Sequence, residues 1–184
     1  MIKPTLKLSE PAQIPQQFEA IVREFLITWW RDRQWEMEQE WGFTQIAPLS
    51  PDDLMRTPVA ERLSIIARYV AGEEIERSYV LDSIQSISEH LFAIETVFEI
   101  PAEFWGTPIG WMILQALVRA EGDELLSLSQ AAEITGKSLS SISQMVSRGR
   151  LTRYRDPTET NPQHATRVRR SELDDYLKRR QSNK

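Results

Sequence analysis

Cysteine is absent from this sequence, and that absence excludes a disulfide framework, thiolate ligation of zinc or iron–sulfur clusters, and any cysteine nucleophile. Histidine is almost absent: His90 and His164 stand far apart, so the usual two- or three-histidine zinc sites are nearly excluded and metal chemistry would rest on carboxylates alone. No apolar run approaches the roughly 18 residues a membrane span requires. The stretch from Met1 to Pro15 has lysines and prolines but no apolar h-region, so an unexported, cytoplasmic protein is expected, and a cysteine-free chain fits a reducing compartment. No Ser/His/Asp arrangement and no glycine-rich cofactor loop is present. No enzymatic activity, cofactor or metal is therefore expected.

What is present is ordinary globular composition, 41% hydrophobic and 27% charged over 184 residues, enough for one ordinary domain or two small ones. The net charge of −5 conceals a split. Residues 1–124 carry 10 lysines and arginines against 21 acids, a balance of −11, whereas residues 125–184 carry 12 against 6, a balance of +6. An acidic body with a basic, polyanion-facing end is the simplest account.

After an extended leader over residues 1–15, Gln16 to Trp41 reads as a long helix, with Phe18, Val22, Phe25 and Trp29 on one stripe and Gly42 as its stop. Ser50-Pro51-Asp52-Asp53 and Thr57-Pro58 each place a hydroxyl at an N-cap and a proline at the first helical position. Val59, Leu63, Ile66 and Val70 then line one helix face before Gly72. Residues 79–99 are predicted to form another helix through Ile84, Ile87, Leu91, Ile94 and Phe98, and Thr107-Pro108 opens one more that Gly122 closes. The first part, residues 16–122, is thus expected to be an acidic all-helical domain that serves in oligomerisation or binds a partner.

From Leu125 the texture changes to short elements. Ser127 with Gln130 forms a capping box, Gly136 gives a left-handed stop, and Ser138 caps a second short helix with Ile142, Met145 and Val146 inside and Gly149 at its end. Arg150 to Arg155 and Thr166 to Arg170 are extended segments joined by Asp156-Pro157 and Asn161-Pro162 turns, which predicts a hairpin. Ser171 is expected to cap a last helix through Leu173, Tyr176 and Leu177 to about residue 180, with residues 181–184 as a tail. The predicted fold is therefore mostly α: a helical N-terminal domain, and over residues 123–180 a helix-turn-helix with a short β-hairpin.

Leu126-Ser127, Ala131-Ala132-Glu133-Ile134, Gly136, Ser138, the Ile142/Met145/Val146 triplet, Gly149-Arg150-Leu151 and Arg167-Val168-Arg169-Arg170-Ser171-Glu172-Leu173 carry a resemblance to the winged helix-turn-helix domains of the MerR and excisionase-like families. The resemblance covers residues of about 125–180. It implies duplex DNA binding, with transcription regulation as the commonest use. Excisionase-like architectural factors and antitoxin-type autorepressors, whose helical domain would bind a partner protein, share the same module. A protein–protein adaptor without DNA binding is the rival from another class.

A recognition helix needs an apolar inner face and a small or polar outer one to enter a major groove roughly 12 Å wide. Ser140, Ser143 and Gln144 are the candidates for base readout, since glutamine pairs bidentately with adenine and serine donates or accepts. Backbone or wing contacts are expected from Lys137, Ser141, Ser147, Arg148, Arg150, Arg153, Arg155, Arg167, Arg169 and Arg170. In an extended segment alternate residues share a face, so Arg153 pairs with Arg155 and Arg167 with Arg169, leaving Tyr154 and Val168 to seal the hairpin to the helices. Leu139 either touches a thymine methyl or packs inward, and Glu159 in the hairpin loop would repel a phosphate. Gly136-Lys137-Ser138 resembles the end of a P-loop, but Ala131 stands where that pattern requires glycine.

The spacing of two between Glu36, Glu38 and Glu40 turns neighbours some 200° apart on a helix, so these carboxylates read as a solvated face. Trp35 lies about 120° from the core stripe of its helix and is a candidate partner contact, with core or interdomain packing as its other fate. Because a module of about 60 residues makes few DNA contacts, specific affinity is expected to need a second copy or a partner engaged through the helical domain.

Overall fold

A computed structural model describes residues 14–43, 46–94, 97–98 and 100–182. The chain is mostly helical and divides into two compact units, Met1–Glu99 and Ile100–Lys184. The division falls earlier than the change of sequence texture near residue 123. Helix 108–120 therefore groups with the C-terminal unit, to which the acidic turn that follows it is bonded directly.

In the first unit, α1 (Gln16–Gln39) packs on α2 (Pro51–Leu54) and α3 (Pro58–Val70), and α3 packs on α4 (Arg77–Phe92). The caps act as the sequence implies. Ser50 accepts from the Asp53 amide at 3.2 Å, Asp53 closes the reciprocal bond, and Thr57 accepts from the Ala60 amide at 3.2 Å. Val22, Leu26, Leu54, Leu63, Ile66, Val80, Ile84 and Ile87 are buried. Fully burying a side chain of this size stabilises by about 1.5–3 kcal/mol. Trp29, expected in the core, is half-buried.

One expectation fails here. The helix predicted to run to residue 99 ends at Phe92, and Ala93–Ile94 (β1) pairs antiparallel with Val97–Phe98 (β2). The first unit is therefore not all-helical. Ile94, Thr96, Val97 and Phe98 are β-branched or aromatic, and such a run favours an extended backbone over continuation of the helix.

The second unit opens with a 3₁₀ turn, Ala102–Gly106, and α5 (Pro108–Ala120), which Thr107 caps by accepting from the Gly110 amide at 3.1 Å. Then come β3 (Leu125–Ser127), α6 (Leu128–Thr135), α7 (Leu139–Ser147), β4 (Tyr154–Arg155), β5 (Thr166–Arg169) and α8 (Arg170–Ser182). The hairpin predicted from turn chemistry is β4–β5, and β3 adds a third antiparallel strand in the order β3–β5–β4. Helix α8 continues into the segment expected as a tail, and residues 1–13 of the expected leader lie outside the described residues. Among the described residues no helix is long and apolar enough to cross a membrane.

Candidate nucleic-acid interface

Two short helices at a fixed angle require firm ends, and the sequence supplies them. At the start of α6 the Gln130 amide donates to Ser127 Oγ at 3.2 Å while the Ser127 amide donates to Gln130 Oε1 at 2.8 Å. A cap of this kind stabilises by about 1 kcal/mol. Gly136, at φ +62°, closes α6 in the left-handed region, where a side chain would be strained. Ser138 then caps α7 by accepting from the Ser141 amide at 3.2 Å. Lys137 lies between them with Nζ 5.5 Å from the centre of the Tyr176 ring, a cation–π contact that ties the turn to α8. The Gly-Lys-Ser sequence is thus a turn and a cap.

Ile142 and Met145 point inward and join Leu126, Ala131, Leu151, Val168 and Leu173 in one buried core. Three helices and the sheet are held by it, and it fixes which face of α7 looks outward. Ser140, Ser143, Gln144 and Ser147 are exposed on that outward side, and Leu139 is 52% exposed at its start, so its alternative of packing inward is not adopted. Ser141 departs from the expectation of a backbone contact: it is half-buried, and its hydroxyl bonds to Ser138 Oγ at 2.9 Å within the cap.

The acidic turn Glu121–Glu124 anchors the last helix. Ser171, predicted as the N-cap of α8, lies inside it. Its amide and hydroxyl both donate to the Asp123 carboxylate, at 3.0 and 2.6 Å, so an acid 48 residues away performs the capping. Burial pushes the Asp123 carboxyl upward, but the bonds from Ser171 and the Glu124 amide, with Arg169 nearby, overcome it and hold Asp123 below the usual carboxylate value. The Arg170 amide donates to the Glu124 carbonyl at 2.9 Å, and Thr152 to the Glu172 carboxylate at 2.7 Å.

The arginines of the hairpin separate into two sets. Arg167, expected to face phosphate, lines the groove beside α7, and its guanidinium donates to Asp156 Oδ2 at 2.9 Å and to the His164 carbonyl, leaving its side chain 19% exposed. Arg169, expected beside it, donates to Tyr154 Oη at 3.0 Å and Glu121 Oε2 at 2.9 Å. Burial opposes the Arg169 charge, but Glu121 and Tyr154 raise its pKa above the ordinary arginine value. Arg170 pairs more loosely, with Glu124 at 3.5 Å and Asp174 at 4.0 Å. The cause is the acids that the fold brings to β5, which strand periodicity cannot show. Val168 does seal the sheet to the helices, whereas Tyr154 is half-buried and serves Arg169.

Arg148, Arg150, Arg153 and Arg155 are exposed and have no carboxylate partner among the described residues. Glu159, expected to repel phosphate, accepts from the Asn161 amide at 3.1 Å and helps to shape the loop. In the same loop the buried Asp156 accepts from the Thr158 amide and hydroxyl.

Between α7 and this loop runs an open groove of about 880 Å³. Its walls include Leu139, Ser140, Ser143 and Ser147 from α7, Arg153, and Gln163 and His164 from the loop. Gln144 stands outside it on the same exposed side of α7, about 40° from Ser140. Gln163, His164 and Ser129 in this surface were not foreseen, because nothing local in the sequence says which way a loop folds back. His90, the lone histidine of the first unit, bonds through Nδ1 to the Ser86 carbonyl at 2.7 Å, one turn back.

Two capped helices across a glycine turn, locked to a three-stranded sheet and a following helix, define a helix-turn-helix domain with a β-hairpin beside its second helix. Residues 125–181 match the model of a family described as helix-turn-helix domain. No curated protein and no solved structure matches the chain.

Proposed function

We propose that the protein is a sequence-specific duplex-DNA-binding regulator of transcription, without enzymatic activity of its own, that works in the cytoplasm. The observation that carries this reading is the outward face of α7, exposed and built from Leu139, Ser140, Ser143, Gln144 and Ser147, flanked by four unpaired arginines. Such a helix suits the major groove, where Gln144 pairs with adenine, the serines adapt to either partner, and Leu139 meets a thymine methyl. Arg148 and Arg150 at the end of α7, with Arg153 and Arg155 by the hairpin, supply the phosphate contacts. The resemblance of residues 125–180 to MerR and excisionase-like modules supports the same docking. Residues 16–122 act as the oligomerisation or partner-binding part, giving the DNA module the second copy that a small interface requires.

Selection from a random duplex pool tests the proposal. The expected result is enrichment of a site with A·T pairs under α7, and Gln144→Ala costs about 1–3 kcal/mol of discrimination at one adenine while leaving random-pool affinity nearly unchanged. Absence of binding even in low salt, with the fold intact, would overturn it in favour of a protein-docking module.

A further inference from the structure

The first 11 residues of α1 bury Val22 and Leu26, but from Ile27 to the end of the helix no residue is buried. That outer half is not uniformly polar. Ile27, Trp30, Gln34 and Met37 recur at spacings of three, four and three and fall within about 80° of one another around the axis, and Trp41 follows four residues on, just past the helix end. Ile27 and Met37 are exposed, Trp41 is 71% exposed, and Trp30 and Gln34 are half-buried. The helix ends at Gln39 with Glu40 as its C-cap, and Trp41 follows in the bend before Gly42, where the Phe43 amide returns to the Met37 carbonyl at 3.1 Å.

We propose that this stripe is the interface between two copies of the chain, with their α1 helices packed antiparallel. Charge complementarity selects the partner and the direction. The positions flanking the stripe are Arg31 and Glu38 on one side, Arg33 and Glu40 on the other. In the antiparallel register that sets Trp30 against Trp41 and Gln34 against Met37 of the second copy, Arg31 faces Glu38 and Arg33 faces Glu40. Both halves repeat this, giving four opposite-charge pairs. One heptad away, Arg31 meets Arg31 and Arg33 meets Arg33, and a parallel pair retains only the Arg33 to Glu38 contacts. The pairs within the helix, Arg33 to Glu36 at 2.6 Å and Arg31 to Asp32 at 3.5 Å, are solvent-exposed and exchange at little cost. Trp35 lies about 120° from the stripe and takes no part in the seam.

The proposal rests on the oligomerisation reading of residues 16–122; its failure would leave partner binding to that part and is distinguishable from a failure of duplex binding by residues 125–181, which is measured separately. Sedimentation equilibrium of the full chain at micromolar concentrations is expected to give twice the chain mass. Arg31→Glu with Arg33→Glu places four like-charge pairs across the seam and should weaken association about tenfold or more, and adding Glu38→Arg and Glu40→Arg should restore it. Restoration, with unchanged helicity by circular dichroism, separates the effect from misfolding. The cysteine-free chain also permits a clean cross-linking test. Gln34→Cys and Met37→Cys proteins should cross-link when mixed and not singly. A monomeric wild type, or a mass unaffected by the charge reversal, overturns the interface; cross-linking of Gln34→Cys alone overturns its antiparallel sense.

Discussion

Arg153 and Arg155 stand on one side of the hairpin, Arg167 and Arg169 on the other, and the chain uses the same residue type for opposite purposes. The first pair is exposed and unpaired, while the second is held by Asp156, Tyr154 and Glu121. A count of cations therefore overstates the charge left free on this part of the chain, because the net +6 of residues 125–184 includes arginines whose charge is already answered within the fold. Arg167 and Arg169 brace the hairpin, whereas Arg153 and Arg155 are left exposed beside it.

The largest effect should come from removing the unpaired set. Arg148, Arg150, Arg153 and Arg155 changed together to alanine should lower random-duplex affinity about three orders of magnitude near 0.1 M salt, read by fluorescence anisotropy, because each phosphate contact contributes about 0.9 to the log–log salt slope. Thermal melting should barely change. Asp156→Asn probes the other set: it keeps an acceptor for Thr158 but removes the charge facing Arg167, and should cost about 1–3 kcal/mol of stability by denaturant titration. The salt slope should hold, since the His164 carbonyl still retains Arg167.

Asp123 gives the comparison a pH dependence. Its carboxyl titrates below the ordinary value of 3.8 in the folded chain, so its stabilisation is complete above that value and disappears as pH falls through the lower one. Melting temperatures measured downward from pH 5 should fall less steeply for Asp123→Asn than for wild type. Smallest is Ser127→Ala, which opens the capping box of α6 and should cost about 1 kcal/mol, with DNA affinity at low temperature unaltered.

Most of the architecture was legible because the chain punctuates itself. Ser50, Thr57, Thr107, Ser127 and Ser138 each cap the helix that local chemistry assigned to them, and Gly136 and Gly149 adopt the left-handed backbone their positions imply. Failures came where a distant partner decided the outcome. Ser171 looked like a cap until Asp123 arrived from 48 residues away, and Arg167 looked free until the loop brought Asp156 against it. Strand β3 is only three residues long and exists through pairing with β5, so no period could show it. At 93–98 the three-and-four spacing of apolar residues fitted a helix as well as a hairpin, and the β-branched content decided.

The division of labour among the arginines is tested most directly by the salt dependence of duplex binding in two double variants. Arg153→Ala with Arg155→Ala should flatten the log–log slope by about 1.8, whereas Arg167→Ala with Arg169→Ala should leave the slope unchanged and lower the melting temperature. The reverse pattern, a flattened slope only for the second pair, would contradict the account and make the internally bonded arginines the DNA-gripping ones.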